Sequence, residues 1–298
     1  MRAGAHKGET PCTPALLLPP YGFTIIIVLK LGHIIYSNCF PPHAGIITKT
    51  VPFPFKLVEG VPTELNRLLY EGKVDVSPSS SIEYAMHPGR YHLLPTLSIT
   101  SKNKVMSILL ESRVPIEALD KKTVALTTAS ATSVVLLRIL LEIRYNLDPG
   151  YTRYEQGVED PSGQADAMLT IGDLALTKAP LPGFLYRYDL GELWHEFTGL
   201  PFVFALWHVN RKKNIDRDIA ALYDILITSR AYGSSHLRDL ATSQAVRFNV
   251  PADLLFSYWN SFSYDFGNNE QKGLLAFYGY AAELGAIEPV TALRFWTK

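Results

Sequence analysis

The segment that most constrains the fold of this chain is an apolar run over residues 202–207, which follows a Thr-Gly-Leu-Pro turn. A run of this length after Gly and Pro is typical of a strand that is buried on both faces. Strands and helices already alternate before this point, so we expect the run to return to a sheet that an earlier part of the chain began. The pattern predicts two lobes with a ligand cleft between them.

Composition limits the classes of function. The chain has 298 residues, enough for two lobes with adequate cores. Lys+Arg and Asp+Glu each total 28, so no bulk charge favours a nucleic-acid or an anionic membrane partner. The two cysteines, Cys12 and Cys39, argue against a disulfide framework and a zinc ribbon. We therefore expect a protein of the reducing cytoplasm with neither nucleic acid nor a membrane as partner.

The N-terminal region is expected to lie outside the fold. Residues 1–22 are predicted to form a poorly ordered extension, and a first buried strand is expected over residues 24–31. Apolar residues 15–18 resemble the core of a secretory signal, but two prolines follow directly and no small-residue cleavage site is visible. The next apolar run is too short to span a bilayer. A signal peptide remains an alternative for this region.

The rest of the chain alternates predicted strands and helices. Strands are expected over residues 74–76, 105–111, 122–126 and 167–171, and helices over residues 62–72, 82–86, 134–145, 218–232, 235–248 and 271–284. Such alternation predicts largely parallel or mixed sheets with helices on their faces. We expect residues 23–111 and 208–298 to form lobe 1, and residues 112–207 to form lobe 2.

Several common catalytic motifs are missing. The sequence contains no GxxxxGK[ST], no GxGxxG after a strand and no GxSxG. His195-Glu196 does not continue into HExxH, and His87 and His92 have no third ligand at a suitable spacing. Nucleotide, serine-hydrolase and metal chemistry are therefore disfavoured, and no metal site is predicted.

Hydroxyl side chains crowd two predicted strand-to-helix junctions, at residues 79–81 and 127–133. Small ligands in α/β folds bind outside the carboxyl ends of the strands. Hydroxyls and backbone N–H groups at helix N-termini can bind an anion there without Lys or Arg. The alternative is that these hydroxyls only cap helices, which is their commoner role.

Three further residues have no functional signal from spacing alone. Asn38 is expected to serve the turn before two prolines, Ser107 to be a satisfied polar residue in a buried strand, and Cys39 to be a packed thiol. The C-terminal aromatic residues are expected to belong to the core rather than to a stacking surface. They are Phe256, Tyr258, Trp259, Phe262 and Tyr264.

Blocks distributed along most of the chain resemble the chorismate dehydratase family, which starts the futalosine route to menaquinone. They are KLGHIIYSNCFPPHAGI, VDVSPSSSIEYA, SKNKVMSILLES, KTVALTTASATSVVLLRILLE, MLTIGDLAL, DLGELWHEFTGLPFVFALW and FSYDFGNNEQKGLLAFYGYAAELG. Their order and spacing make the combination more specific than any single block. The resemblance does not extend to residues 1–22.

The resemblance implies a type II periplasmic-binding-protein-like fold, with two lobes and a cleft. It also implies a hydro-lyase that converts chorismate to 3-[(1-carboxyvinyl)oxy]benzoate without a cofactor, by a stepwise elimination in which the substrate's enolpyruvyl carboxylate can act as the base. The resemblance assigns catalytic roles to Asn38 and Ser107. The expected substrate contacts, from the resemblance and the hydroxyl clusters, are Ser80, Thr132, Ser133, Gly172 and Asp173.

Two other functions remain open at this point. A non-catalytic solute-binding protein for a small carboxylate shares the implied fold, but it would need export. The dihydroxynaphthoate synthase of the same pathway is a related enzyme that acts on a later intermediate. The blocks NCFPP, VMS and TGLPFVFALW favour the dehydratase.

Overall fold

The computed structural model describes residues 28–87, 89–211 and 215–297, so the expected extension over residues 1–22 lies outside the described residues. The strands are β1 (Lys30–Ile34), β2 (Lys56–Gly60), β3 (Val76–Ser80), β4 (Tyr91–Ser101), β5 (Ile108–Ser112), β6 (Thr123–Thr127), β7 (Gly150–Tyr154), β8 (Ala167–Ile171), β9 (Tyr186–Asp189), β10 (Phe202–Asn210) and β11 (Phe262–Ser263).

Helices cover both sheets. They are α1 (Phe40–Ile47), α2 (Pro62–Tyr70), α3 (Ser81–Met86), α4 (Ala131–Arg138), α5 (Gly172–Thr177), α6 (Leu190–Thr198), α7 (Asp216–Ser235), α8 (Leu237–Phe248), α9 (Ala252–Asn260) and α10 (Asn268–Glu283). Short 3₁₀ turns lie at Ser37–Cys39, Ile116–Ala118 and Pro161–Gly163, and α4 continues as a π-helical segment over Ile139–Arg144. Among the described helices, none combines the length and the apolar character that crossing a bilayer requires.

The strands form two mixed sheets. The first has the order β11-β4-β10-β3-β1-β2 and the second the order β7-β6-β8-β5-β9. The apolar run over residues 202–207 lies in β10, and all nine residues of this strand are buried. It lies between β3 and β4 and is antiparallel to both. The prediction that a late buried strand returns to the first sheet is therefore confirmed.

The sheets divide the chain at other residues than the expected lobe boundaries. β5, expected to close lobe 1, pairs with β8 and β9 of the second sheet. β10 belongs to the first sheet, although residues 202–207, which are most of this strand, were expected in lobe 2. Side-chain pattern does not reveal this, because a buried strand looks the same in either sheet until its hydrogen-bonded partners are known. From here on, lobe 1 is the first sheet with its helices and lobe 2 is the second sheet with its helices. The chain crosses between them at residues 102–107 and 190–201.

Most of the predicted elements are present, usually within a few residues of the expected ends. The strand over residues 167–171 and the starts and ends of α7, α8 and α10 agree closely with expectation. The sequence patterns did not predict the strands β2, β4, β7, β9 and β11 or the helices α5, α6 and α9. In α9 the predicted core residues Tyr258 and Trp259 are fully buried, whereas Phe256 is only partly so.

Close packing of α1 on α7 fixes the turn that carries Asn38. Gly233 of α7 lies against the backbone of Pro41, and a Cβ at Gly233 would overlap the Pro41 carbonyl oxygen. On the same face, the Ser229 hydroxyl accepts a hydrogen bond from the Ile46 N–H at 3.3 Å. These contacts fix the start of α1 relative to α7. The 3₁₀ turn at Ser37–Cys39, which directly precedes α1, is fixed together with it.

A buried chain of hydrogen bonds joins β1, α1 and β10. The Trp207 Nε1–H donates to His43 Nε2 at 3.2 Å, and the Nδ1 atoms of His43 and His33 lie 2.9 Å apart. Because the indole can only donate, His43 carries its proton on Nδ1 and donates to His33. Burial lowers the pKa of His33 to about 4, with a smaller contribution from Arg247, and burial also lowers the pKa of His43. Both rings are therefore neutral at physiological pH.

We predict that Gly233→Ala destabilises the fold and Gly279→Ala does not. Both glycines lie inside helices, but a Cβ at Gly279 meets no atom within 4 Å. Overpacking at Gly233 should lower the free energy of unfolding by about 1–3 kcal/mol, whereas the better helix propensity of Ala at Gly279 should raise it by up to about 1 kcal/mol. Urea denaturation of both variants measures this. Equal effects at the two positions would contradict the packing described here.

We predict that the buried histidines make the fold sensitive to mild acid. His33 in the unfolded chain takes up a proton near pH 6.5, but in the folded protein only near pH 4, so stability is present above pH 6.5 and is lost as the pH falls between these values. Between pH 7 and pH 5 this single group should remove about 2 kcal/mol from the free energy of unfolding. Denaturation at both pH values should show a smaller loss in His33→Gln than in the wild type. His236→Gln, at an exposed histidine, is the control, and an unchanged loss in His33→Gln would be evidence against this role.

Candidate active site

The carboxyl ends of β1, β3, β6 and β8 meet at a cavity between the two lobes. This is the edge at which the sequence predicted a ligand site. The residues that line the cavity are Ile34, Tyr36, Asn38, Cys39, Pro62, Ser80, Ile99, Ser107, Ile108, Ser130, Ser133, Ile171, Gly172, Phe204 and Ala205. Lobe 1 and lobe 2 both contribute to the wall.

The described part of the cavity wall is uncharged. The lining residues within the described ranges include no Lys, Arg, His, Asp or Glu, and their polar groups are hydroxyls, one amide and one thiol. Such groups can donate hydrogen bonds to an anion without an ion pair. Within the described ranges, no group of three or more His, Cys, Asp or Glu side chains could hold a metal ion. His87, which the sequence analysis considered as a ligand, lies 3.5 Å from Glu83 instead.

The Asp189 carboxylate holds the segment that carries Ser107. It accepts hydrogen bonds from the backbone N–H groups of Val105 at 3.0 Å and Met106 at 2.6 Å in the first crossover. It also caps α6 in the second crossover, by accepting from the N–H groups of Gly191 at 2.9 Å and Glu192 at 3.2 Å. Burial raises the pKa of Asp189, and these hydrogen bonds oppose the shift. The two crossovers are thus joined by one side chain.

Ser107 lies at the end of this crossover and is one of the residues that line the cavity. The preceding Met106 has φ of 62°, a left-handed conformation that a non-glycine residue rarely adopts. The Ser107 carbonyl accepts from the Gly172 N–H at 2.8 Å, and the Ser107 Oγ accepts from the Tyr258 hydroxyl at 2.6 Å. Both hydrogen bonds connect distant parts of the chain, so the position of Ser107 depends on the assembled fold.

Asn38 lies in the 3₁₀ turn after β1. The Tyr264 hydroxyl donates to its backbone carbonyl at 3.0 Å, and the Cys39 thiol donates to its Oδ1 at 3.3 Å. Burial raises the pKa of Cys39, and the nearby Asp173 carboxylate raises it further, so the thiol remains protonated. Cys39 is the packed thiol that the sequence predicted, and its contact uses the Asn38 Oδ1, so both Nδ2 hydrogens remain without a partner among the described residues.

Three of the expected substrate contacts line the cavity: Ser80, Ser133 and Gly172. The Ser80 Oγ accepts from Asn66 Nδ2 at 2.8 Å, and the Ser133 N–H donates to the capping hydroxyl of Ser130 at 3.2 Å. These hydroxyls therefore have structural hydrogen bonds as well as a place in the wall. Gly172 begins α5 with φ of 70°, where a side chain would be strained, and the Tyr36 ring packs against it.

Thr132 and Asp173, the other two expected contacts, form hydrogen bonds between the lobes instead of lining the cavity. The Thr132 hydroxyl accepts from the Ile82 N–H at 3.1 Å, at the start of α3. The Asp173 carboxylate accepts from the Ser37 N–H at 3.0 Å and from the Ser37 hydroxyl. Burial raises the pKa of Asp173, and the Ser37 hydrogen bonds oppose that shift. Substrate contact by Thr132 or Asp173 remains a prediction, and in this structure each forms its hydrogen bonds across the cleft.

Sequence reasoning did not assign a role in the site to Tyr36 or to the two tyrosines that contact Asn38 and Ser107, and it considered Ser130 only as part of the hydroxyl-rich junction at residues 127–133. Tyr258 and Tyr264 were predicted as core residues, and both are buried. No local signal could have linked them to the cavity, because Tyr258 is 151 residues from Ser107 and Tyr264 is 226 residues from Asn38.

Comparison of the sequence with known families identifies one match over most of the chain. A family model described as menaquinone biosynthesis matches residues 29–283. A chorismate dehydratase of Thermus thermophilus is 36% identical over 81% of this chain and 91% of its own length. A chorismate dehydratase of Campylobacter jejuni is 31% identical over 63% of this chain and 70% of its own length. A 1,4-dihydroxy-6-naphtoate synthase of Thermus thermophilus is less similar, at 26% identity over 80% of this chain and 87% of its own length.

Comparison with solved structures confirms the fold class. An alkanesulfonate-binding protein of Xanthomonas axonopodis pv. citri superimposes with a TM-score of 0.64 at 15% identity, over 87% of this chain and 93% of its own. A Candida albicans protein with the generic periplasmic binding protein fold superimposes with a TM-score of 0.61 at 10% identity, over 91% of this chain and 98% of its own. The predicted periplasmic-binding-protein-like fold is therefore confirmed, and at such low identity the likeness concerns the fold alone.

We predict that Asp173→Asn favours a more open cleft. The amide has one acceptor oxygen where the carboxylate has two, and its N–H₂ group would face the Ser37 donors. Hydrogen bonds to charged groups contribute about 1.5–3 kcal/mol, so the ratio of open to closed molecules should rise roughly tenfold or more. Small-angle X-ray scattering should show a larger radius of gyration in the variant.

Asp160→Asn is the matched control, because the Asp160 carboxylate accepts from the Ser162 N–H within lobe 2. It should leave the radius of gyration unchanged. A wild-type radius in Asp173→Asn would show that its contact with Ser37 does not hold the lobes together.

Proposed function

The chain belongs to the chorismate dehydratase family of menaquinone biosynthesis, and from this membership we propose that it removes water from chorismate to give 3-[(1-carboxyvinyl)oxy]benzoate. The observation that carries the proposal is that Asn38 and Ser107, to which the family resemblance assigns catalysis, lie in one uncharged cavity wall between the lobes. The protein is then a hydro-lyase that works without a cofactor, and the cytoplasm is its expected location.

The reaction requires no covalent bond between the protein and the substrate. The bond between ring carbon 3 and its hydrogen breaks, the electron pair forms a new ring double bond, and the hydroxyl on carbon 4 leaves with a proton as water. The product ring is aromatic, so the driving force lies in the substrate. The protein has to hold a reactive conformer and stabilise the charge that develops in the transition state.

Neutral donors suit this task. Negative charge at carbon 3 is conjugated through the neighbouring double bond with the ring carboxylate, and the departing hydroxyl also gains negative charge. In our proposal Asn38 donates from Nδ2 to the enolpyruvyl carboxylate or to the departing hydroxyl, and Ser107 donates from its hydroxyl to the reacting region. Preorganised donors of this kind act strongly in a site that excludes water.

The substrate itself is our candidate for the base. The described residues that line the cavity include no carboxylate and no imidazole, and the nearby Asp173 carboxylate accepts two hydrogen bonds from Ser37. The enolpyruvyl carboxylate of chorismate is attached through oxygen to carbon 3, so it can reach the hydrogen on that carbon. This arrangement needs a site that fixes the side chain of the substrate, which agrees with the proposed role of Asn38.

We predict that Asn38→Ala and Ser107→Ala each lower kcat by about 10²–10³-fold, the usual cost of removing one donor to a developing charge. The assay mixes purified protein with chorismate and follows the aromatic product by ultraviolet absorbance and mass spectrometry. Ser112→Ala is the matched control. Ser112 is a buried serine at the end of β5 whose hydroxyl donates to the Val114 carbonyl at 2.7 Å, outside the cavity wall.

The outcomes separate the possible functions. Product formation by the wild type and Ser112→Ala, with the loss in both site variants, supports the dehydratase and its site. Binding of chorismate without turnover would point to a solute-binding protein. Turnover of the later pathway intermediate in place of chorismate would point to the dihydroxynaphthoate synthase. Wild-type turnover in Asn38→Ala and Ser107→Ala would remove both residues from the mechanism.

A further inference from the structure

We propose that Tyr258 is a positioning residue for the reaction: its hydroxyl donates to the Ser107 Oγ and so directs the Ser107 proton toward the ligand in the cavity. The inference rests on the proposed function and adds to it a residue that does not itself line the cavity. It assigns to Ser107 the role of donor and makes a side chain of lobe 1 responsible for that role.

The hydrogen bond is directed from the Tyr258 phenol to the Ser107 hydroxyl. The two oxygen atoms lie 2.6 Å apart, and the contact is formed with the phenol as donor and the serine oxygen as acceptor. Both side chains are buried: Ser107 is 1% exposed and Tyr258 0% exposed. A serine hydroxyl has one proton and two lone pairs. When Tyr258 occupies one lone pair, the serine proton must point elsewhere.

Within the described residues, no second protein group forms a hydrogen bond with the Ser107 Oγ. Its only protein partner there is the Tyr258 hydroxyl, and the Gly172 N–H contacts the Ser107 carbonyl instead. Ser107 is itself one of the lining residues of the cavity. The proton that Tyr258 does not use is therefore available to an acceptor in the cavity, such as a carboxylate or a departing hydroxyl.

The surroundings keep Tyr258 a donor. Burial raises its pKa well above the usual value and the negative charge of Asp173 raises it further, while the hydrogen bond with Ser107 opposes the shift, so the phenol stays protonated at physiological pH. The ring packs edge-on against Phe262, with centroids 5.2 Å apart. The hydroxyl is therefore fixed in place as well as in its protonation state.

The other buried tyrosines have different partners. Tyr91 donates to the Glu83 carboxylate at 2.9 Å, and Tyr84 accepts from the Arg294 N–H at 2.7 Å. The hydroxyls of Tyr154, Tyr264 and Tyr278 donate to the backbone carbonyls of Leu169, Asn38 and Ser81. A backbone carbonyl satisfies a buried phenol without affecting any other side chain. Tyr258 instead donates to a side chain whose own hydroxyl can rotate. The contact therefore affects the direction in which the Ser107 proton points.

The test is a double-mutant cycle with Tyr258→Phe and Ser107→Ala. Tyr258→Phe should lower kcat about tenfold or more with little change in KM, because the serine hydroxyl can then turn away from the reacting atoms. In the Ser107→Ala background the same change should cause no further loss of kcat, because there is no longer a hydroxyl to direct. Tyr154→Phe, which removes a buried phenol at a carbonyl of lobe 2, is the matched control and should retain wild-type kcat.

Additive losses in the cycle would overturn the inference, since they would mean that Tyr258 acts independently of Ser107. A kcat for Tyr258→Phe equal to that of the wild type would overturn it as well. A drop in kcat for Tyr154→Phe equal to that for Tyr258→Phe would assign the effect to general destabilisation and would also overturn it. Denaturation of each variant establishes that the proteins are folded under the assay conditions.

A second measurement separates this inference from the proposed function. Protein labelled with ¹³C at the tyrosine ζ carbon gives a resonance for Tyr258 that is identified by its loss in Tyr258→Phe. This resonance should shift in Ser107→Ala and remain in place in Ser112→Ala. Absence of chorismate turnover in the wild type would overturn the proposed function, whereas an unmoved Tyr258 resonance in Ser107→Ala would overturn the hydrogen bond on which the inference depends.

Discussion

The Asp189 carboxylate is the interaction on which the arrangement of the two lobes depends. The chain crosses between the sheets twice, and the N–H groups of Val105 and Met106 in one crossover share this carboxylate with those of Gly191 and Glu192 in the other. A buried carboxylate with four N–H donors is well satisfied, and removal of the side chain would leave all four unpaired. One side chain thus fixes both crossovers and, next to them, Ser107.

The site that results works through orientation rather than charge. As far as the structure describes the chain, its wall contains hydroxyls and an amide and neither lysine nor arginine. Each of its two proposed catalytic residues is oriented by a buried neighbour: Cys39 binds the Asn38 Oδ1, and Tyr258 binds the Ser107 Oγ. In both pairs the neighbour donates to an oxygen of the catalytic side chain, so the Asn38 Nδ2 hydrogens and the Ser107 hydroxyl proton remain available to a ligand. A substrate that carries its own leaving group and its own base requires no more from the protein than such fixed donors.

Sequence patterns predicted the sheet content and the site to different degrees. The buried run at β10 and the hydroxyl-rich ends of β3 and β6 indicated a cleft, and the cavity lies there. Spacing alone favoured a plain structural role for Asn38 and Ser107, and only the family resemblance suggested catalysis. The lobe boundaries were misplaced because β5 is equally apolar in either sheet. Thr132 and Asp173 were expected at the substrate, whereas they join the two lobes in this structure.

The sequence by itself determined the class of fold and the family, because the alternation of apolar and polar residues and the family-like blocks are local properties of the chain. The tertiary structure alone decided which side chains meet. Tyr258 reaches Ser107 across 151 residues, and Ser37 reaches Asp173 across 136. A hydrogen bond requires its atoms within about 3 Å of each other, and for residues so far apart in the chain only the packing of the two lobes sets that distance.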